Sequence, residues 1–122
     1  MTTAQTKTRS TEVSSDALAR RKHPRRTFKR GIGILYQGKY EVAEATEIGE
    51  GGMSFVTQME ILKGGLLVIN VQIPRGSFMV AMAEAKNVTR NEDGTFRVGC
   101  QFRKVKFENK REIRAYVSAR GE

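Results

Sequence analysis

The chain has 122 residues, 39% of them hydrophobic, and a formal charge of +9 from 22 Lys and Arg against 13 Asp and Glu. That gives room for one domain with a modest core, and a cation excess that predicts an anionic partner: nucleic acid, a nucleotide or an acidic surface. A single cysteine, Cys100, excludes an internal disulfide and a zinc-finger ligand set, and a single histidine, His23, leaves histidine-based catalysis almost nothing to work with. The longest aliphatic run, Leu66 to Ile69, is far short of the roughly 20 apolar residues that a membrane span needs. The first 16 residues hold no apolar stretch of the kind a secretory signal requires, so a cytoplasmic location is expected.

Residues 1–19 are rich in Thr and Ser, carry no aromatic residue and show no apolar periodicity. Such a segment cannot bury enough surface to offset its ordering entropy, which predicts a disordered tail ahead of an ordered unit over 20–120. A basic block follows: Arg20, Arg21, Lys22, Arg25, Arg26, Lys29 and Arg30. Pro24 disfavours helix at the residue before it, so the stretch 20–30 is expected to be an extended arm of guanidiniums rather than a helical face.

From Gly31 onward the pattern is β. Gly31–Gln37 and Tyr40–Ile48 read as a hairpin closed by Gly38-Lys39, with glycine where a type II′ turn needs it. A glycine-rich connection, Glu47-Ile48-Gly49-Glu50-Gly51-Gly52, leads to a strand over 53–57. Three glycines there would let the backbone adopt positive φ and approach a bound group, or merely make a tight connection or a β-bulge. Leu67, Ile69, Val71 and Ile73 alternate as a half-buried strand does, and Pro74-Arg75-Gly76 is a turn. Phe78, Val80, Met82 and Val88 fall on one face of a long strand, which Asn91 to Gly94 turns into Phe96–Phe102.

The final segment changes period. Ile113, Tyr116 and Val117 have the i, i+3, i+4 spacing of an amphipathic helix, and Asn109 with Glu112 three residues on predicts a capping box that starts it near Lys110. Six short strands and one helix, with no helix between strands, predict an antiparallel barrel or bent sheet covered by that helix.

The paired arginines ahead of the first strand and the acidic-x-small-x-x-Gly turn after the second resemble the PilZ domain family. That family pairs RxxxR with (Asp/Asn)-x-Ser-x-x-Gly; here the halves are Arg21-Lys22-His23-Pro24-Arg25 and Glu47-Ile48-Gly49-Glu50-Gly51-Gly52. The stretch Asn91–Phe102 looks like the family's last hairpin, and 113–120 like its closing helix. The resemblance implies a six-stranded antiparallel β-barrel with a C-terminal α-helix, whose ligand is the bacterial second messenger cyclic di-GMP. No cofactor beyond that ligand is expected.

Carried over position by position, Arg21 and Arg25 would hold phosphate and guanine, Arg20 would add a stacking or ionic contact, and Gly52 would allow close backbone approach. Glu47 and Gly49 stand where the family has Asp/Asn and Ser. The first change moves the acceptor outward by one methylene; the second removes a hydroxyl whose bond to a ligand would be worth about 0.5–1.5 kcal/mol. The arm is expected to become ordered on binding and to present a new surface to a protein target. The alternative is an adaptor that works by protein contacts without a ligand. A basic nucleic-acid-binding barrel is a third reading, disfavoured because the aromatics do not interleave as a base-stacking platform would.

The remaining candidates read as structural. His23 is expected to be solvated, and Cys100, Met53, Met59, Met79 and Met82 to fill the core. Arg103, Lys104, Lys106, Lys110, Arg111 and Arg114 form a second basic cluster, expected on the helix's solvent face or on an anion-facing surface. No nucleophile–base pair, spaced carboxylate pair or metal-ligand set stands out, so no enzymatic activity is expected.

Overall fold

A computed structural model describes residues 24–119. The predicted tail over 1–19, the arm residues Arg20 and Arg21, and His23 lie outside the described residues. Six strands and a helix follow in order: β1 (Arg25–Tyr36), β2 (Lys39–Gly49), β3 (Gly52–Thr57), β4 (Leu66–Gln72), β5 (Phe78–Arg90), β6 (Phe96–Lys104) and α1 (Phe107–Ser118). All pairings are antiparallel, and the ring β1-β2-β3-β6-β5-β4 closes into a barrel. Closure gives every strand a partner on both sides, with β1 meeting β4 over only Gly33–Leu35.

The barrel interior takes one residue in two from each strand. Ile34, Ala45, Phe55, Ile69, Met79, Ala83 and Val98 are fully buried. The predicted alternation of Leu67, Ile69, Val71 and Ile73 faces this core. So do Met53, Met79 and Cys100, with Met59 packed against its margin. Ile113 and Val117 of α1 close the end of the barrel that holds the start of β1 and the β2–β3 connection, with Tyr116 edge-on to Phe28 at 5.7 Å between ring centroids.

Four sequence expectations need correction. The first strand begins at Arg25, so the second half of the expected arm is paired sheet: Arg25, Arg26 and Thr27 face Gly49, Ile48 and Glu47 of β2. Phe28 explains it, being 2% exposed and anchored under α1. The hairpin turn is centred one residue earlier than expected. Tyr36 pairs with Lys39, and Gln37 (φ 51°) with Gly38 (φ 79°) makes the both-positive geometry of a type I′ turn.

The third correction concerns β5. Phe78, Val80 and Met82 point outward and are exposed, while Met79, Ala81, Ala83 and Ala85 fill the core. A register shift between Ala85 and Asn87 then reverses the alternation, so Val88 returns to the core side that the other three avoid. The fourth is the helix start. α1 begins at Phe107 after Lys106, with no side-chain cap. Asn109 is buried and donates to Glu112 Oε1 at 3.2 Å. Glu112 also accepts from the Ser77 backbone N–H (3.0 Å) and hydroxyl (2.9 Å), so it ties α1 to the β4–β5 turn.

Candidate functional site

The outer faces of β3, β6 and β5 form an open groove of about 1300 Å³. Its floor follows from the register: Ser54 of β3, Gly99 of β6 and Asn87 of β5 lie side by side. Gly99 contributes no side chain, which leaves a hollow between the Ser54 hydroxyl and the Asn87 amide. Arg97 and Gln101 flank it on β6, because alternation along that strand sends 97, 99 and 101 outward while Val98, Cys100 and Phe102 go to the core.

Charge gathers around this floor. Arg25, Lys86, Arg97, Arg103, Lys104, Lys106 and Lys110 line the groove, against the carboxylates of Glu47 and Glu50. Arg103 and Lys86 share Glu84 at 2.5 and 3.3 Å. Among the described residues, Arg97, Lys104, Lys106 and Lys110 have no ion-pair partner. Cations left unneutralised around a concave surface make a focused positive field, suited to a polyanionic ligand. Four of the six residues of the second basic cluster thus belong to the groove: Arg103, Lys104, Lys106 and, from the first turn of α1, Lys110.

The β1–β2 pairing brings the two expected motif halves together. Arg25 is paired with Gly49, and its Nη1 lies 3.9 Å from Glu47 Oε1 at the mouth of the groove. Gly49 is packed under the incoming chain: a Cβ there would sit 2.7 Å from the Pro24 carbonyl oxygen and 2.9 Å from Arg25 Cγ. Glu50 reaches the other way and pairs bidentately with Arg114 of α1, with Nη2 at 2.6 Å and Nε at 3.2 Å. Bonding to that carboxylate, and then its charge, raises the pKa of the Arg114 guanidinium further. The connection is therefore held by β1 on one side and by the helix on the other.

The reason for its glycines differs from the expectation. None of Gly49, Gly51 and Gly52 has positive φ; among the described residues that geometry falls on Gly38, Gly64 and Gly94, with Gln37 and Arg75. Gly52 is required by packing within the barrel, since a Cβ would collide with the carbonyl oxygen of Cys100 across the β3–β6 pair. Cys100 itself lies beneath the groove. Burial, partly opposed by a bond to the Met53 carbonyl and by the Arg25 charge, pushes its thiol up to about 11, so it is protonated and unreactive at neutral pH.

Of the expected site residues, Arg25 and Glu47 line the groove, Gly49 packs against Pro24 and Arg25 and Gly52 against Cys100 without lining it, and Arg20 and Arg21 lie outside the described residues. The sequence reading missed Ser54, Lys86, Asn87, Arg97 and Gln101. The polar alternation of β6 was the available signal, but only the register shows that β3 and β5 complete the wall. Among the described residues no group of three or more His, Cys, Asp or Glu side chains forms a metal cluster, and no helix is long and apolar enough to cross a membrane.

The PilZ domain model matches residues 19–119, nearly the whole chain. The chain belongs to the PilZ domain family. No curated protein sequence matches it at a significant level. Solved structures share the PilZ fold at low identity. The Bacillus subtilis inhibitor of motility MotI/DgrA superposes with a TM-score of 0.74 at 12% identity, covering 82% of this chain and 50% of that one. The PilZ domain of YcgR from Escherichia coli, solved with c-di-GMP, gives 0.64 at 13% identity over 82% of this chain and 90% of the other. MrkH of K. pneumonia, in its c-di-GMP complex, gives 0.62 at 17% identity over 80% and 51%. This PilZ chain thus spans about half the length of MotI and MrkH. The six-stranded antiparallel barrel and C-terminal helix expected from the resemblance are the fold observed.

Proposed function

We propose that this PilZ domain is a bacterial cyclic di-GMP receptor that binds the nucleotide in the groove and signals to a protein partner. The supporting observation is the meeting of Arg25 and Glu47 at the mouth of a groove with seven cationic and two acidic side chains. The ligand carries two phosphates and two guanines. A guanidinium can pair bidentately with phosphate or with guanine O6 and N7, and can stack on the base. The loose 3.9 Å contact leaves Arg25 free to turn to a phosphate, which in turn releases the Glu47 carboxylate to accept from a guanine N–H edge.

Arg20 and Arg21 would join the same ligand from the other side of Pro24. In this reading the switch is confined to the stretch before β1, since Arg25, Arg26, Thr27 and Arg30 already pair with β2. Binding orders that stretch over the groove, and the covered groove becomes the surface a partner reads. Charge-assisted bonds of about 1.5–3 kcal/mol each exceed the roughly 1–2 kcal/mol per residue of backbone ordering.

Isothermal titration with cyclic di-GMP at physiological salt tests the assignment. A micromolar or tighter dissociation constant, weakened at least tenfold by Arg25→Ala, is the expected result. No binding at high micromolar ligand would overturn it and leave a ligand-independent adaptor. Slower amide exchange over residues 19–24 on ligand addition is the expected mark of the switch.

A further inference from the structure

The side of the barrel turned away from the groove carries an apolar patch, bordered by Glu44 on β2 and by Glu84 opposite Leu66. In the ring order β1-β2-β3-β6-β5-β4, the β1–β4 seam lies opposite the β3–β6 seam that floors the groove. Two rows of outward positions cross four strands there. Met82, Val68, Leu35 and Tyr40 are successive partners in one row; Val80, Asn70, Gly33 and Val42 form the next. Tyr40 is 60% exposed, Val42 67% and Val80 57%, and Leu66 and Phe78 extend the patch along β4 and β5. Gly33 has no side chain, and the Tyr40 hydroxyl and the Asn70 side-chain oxygen lie over it, which keeps the face flat. Neither row contains a charged residue.

A sheet face offers side chains rather than unpaired backbone groups, so this face is covered by packing against another surface and not by adding a strand. Its seven exposed large apolar side chains present on the order of 600–700 Å², above the roughly 300–600 Å² of a typical monomer's largest patch and near the ~800 Å² per partner of a standard interface. Residues 1–23 offer Met1, Val13 and Leu18 as their large apolar side chains, too few to cover it. A flat, neutral, apolar partner is required. Among the described residues, this face is itself such a surface.

We infer that two copies of the chain pair face to face through the outer sides of β4, β1 and the starts of β2 and β5, as an isologous dimer. Charge favours that arrangement. The chain carries +9, and pairing by these faces directs both basic grooves outward, where repulsion between copies is smallest and each groove stays open. This assembly stands apart from the ligand assignment, since its residues, Val80 at the margin excepted, do not line the groove.

Sedimentation equilibrium of the purified chain between about 1 and 300 μM, without nucleotide, tests the pairing. The expected result is a reversible monomer–dimer equilibrium that persists in 0.5 M salt. Val42→Lys and, separately, Leu66→Lys should each weaken it at least tenfold while the thermal unfolding midpoint and groove ligand titration stay unchanged. A monomer throughout the range overturns the inference and leaves the face to a different protein. A dimer that both variants retain, or one that salt dissolves, overturns it as well.

Discussion

Arg26 of β1 lies with its guanidinium carbon 4.3 Å from the Tyr116 ring centroid, and its Nη1 donates to the Tyr116 carbonyl at 2.8 Å and to that of Ala119 at 3.4 Å. Helix α1 has no basic residue in its own last turn, so a strand more than 80 positions earlier supplies the positive charge that its C-terminal carbonyls favour. The Tyr116 hydroxyl completes the link by donating to the Thr27 carbonyl at 3.1 Å. One arginine of the basic block is thereby a structural clasp, while its neighbour Arg25 turns to the groove.

Removing the clasp should loosen the helix without touching the side chains that line the groove. Arg26→Ala is expected to cost about 1–2 kcal/mol, from the lost carbonyl contacts and the cation–π pair, and to lower the melting temperature by roughly 5 °C or more. Calorimetry measures the shift, and Arg26→Lys should recover part of it.

Two glycines on paired strands should respond in opposite ways. Gly52→Ala drives a methyl into the Cys100 carbonyl and must spread the β3–β6 pair, for an expected loss of roughly 2–4 kcal/mol in denaturant unfolding. At Gly99 the nearest atoms to an added Cβ are 3.7 Å away or more, so Gly99→Ala should leave stability within about 0.5 kcal/mol. It fills the groove floor, however, and cyclic di-GMP affinity should fall severalfold in the same titration.

The Cys100 thiol predicts an alkaline effect. Its folded pKa of about 11 lies above the ordinary value of 9.0, so the unfolded chain releases this proton first as pH rises. The stability tied to it is complete below pH 9 and lost between pH 9 and 11, approaching 2–3 kcal/mol for a shift of about two units. Urea unfolding of the wild type should weaken across that window more steeply than that of Cys100→Ala. At pH 8 the folded thiol should resist alkylation.

Glu112 predicts the acid side. Bonds from the Ser77 N–H and hydroxyl, and then from Asn109, hold its carboxyl below the ordinary 4.5. The stabilisation is present above that value and is lost as pH falls through the depressed folded pKa. Glu112→Gln should flatten the decline of the melting temperature below pH 4.5, measured against the wild type in matched buffers.

The strands were legible because alternation is a local signal. Leu67, Ile69, Val71 and Ile73 declare a buried face to any reader of the chain, as does the helical spacing of Ile113, Tyr116 and Val117. β5 was readable as a strand but not in its orientation. With large apolar residues at Phe78, Val80 and Met82 and alanines between, local hydrophobicity points the wrong way; the narrow barrel interior takes the small residues and leaves the large ones outside. The motif halves were visible as residues, but the groove floor and its flanks, including Ser54, Arg97, Asn87 and Lys86, were not.

Taken alone, the sequence determined a basic, disulfide-free β domain closed by one amphipathic helix, with arginines and an acidic glycine-rich turn as the pair to watch, because composition, period and spacing are properties of neighbours along the chain. Only the tertiary structure decided that Arg25 lines the groove and Arg26 clasps the helix, that Gly52 answers to a strand nearly fifty residues away, and that cations and exposed apolar groups occupy opposite sides. Those are outcomes of register and ring closure, which follow from how the whole barrel packs its interior rather than from any single segment's preference.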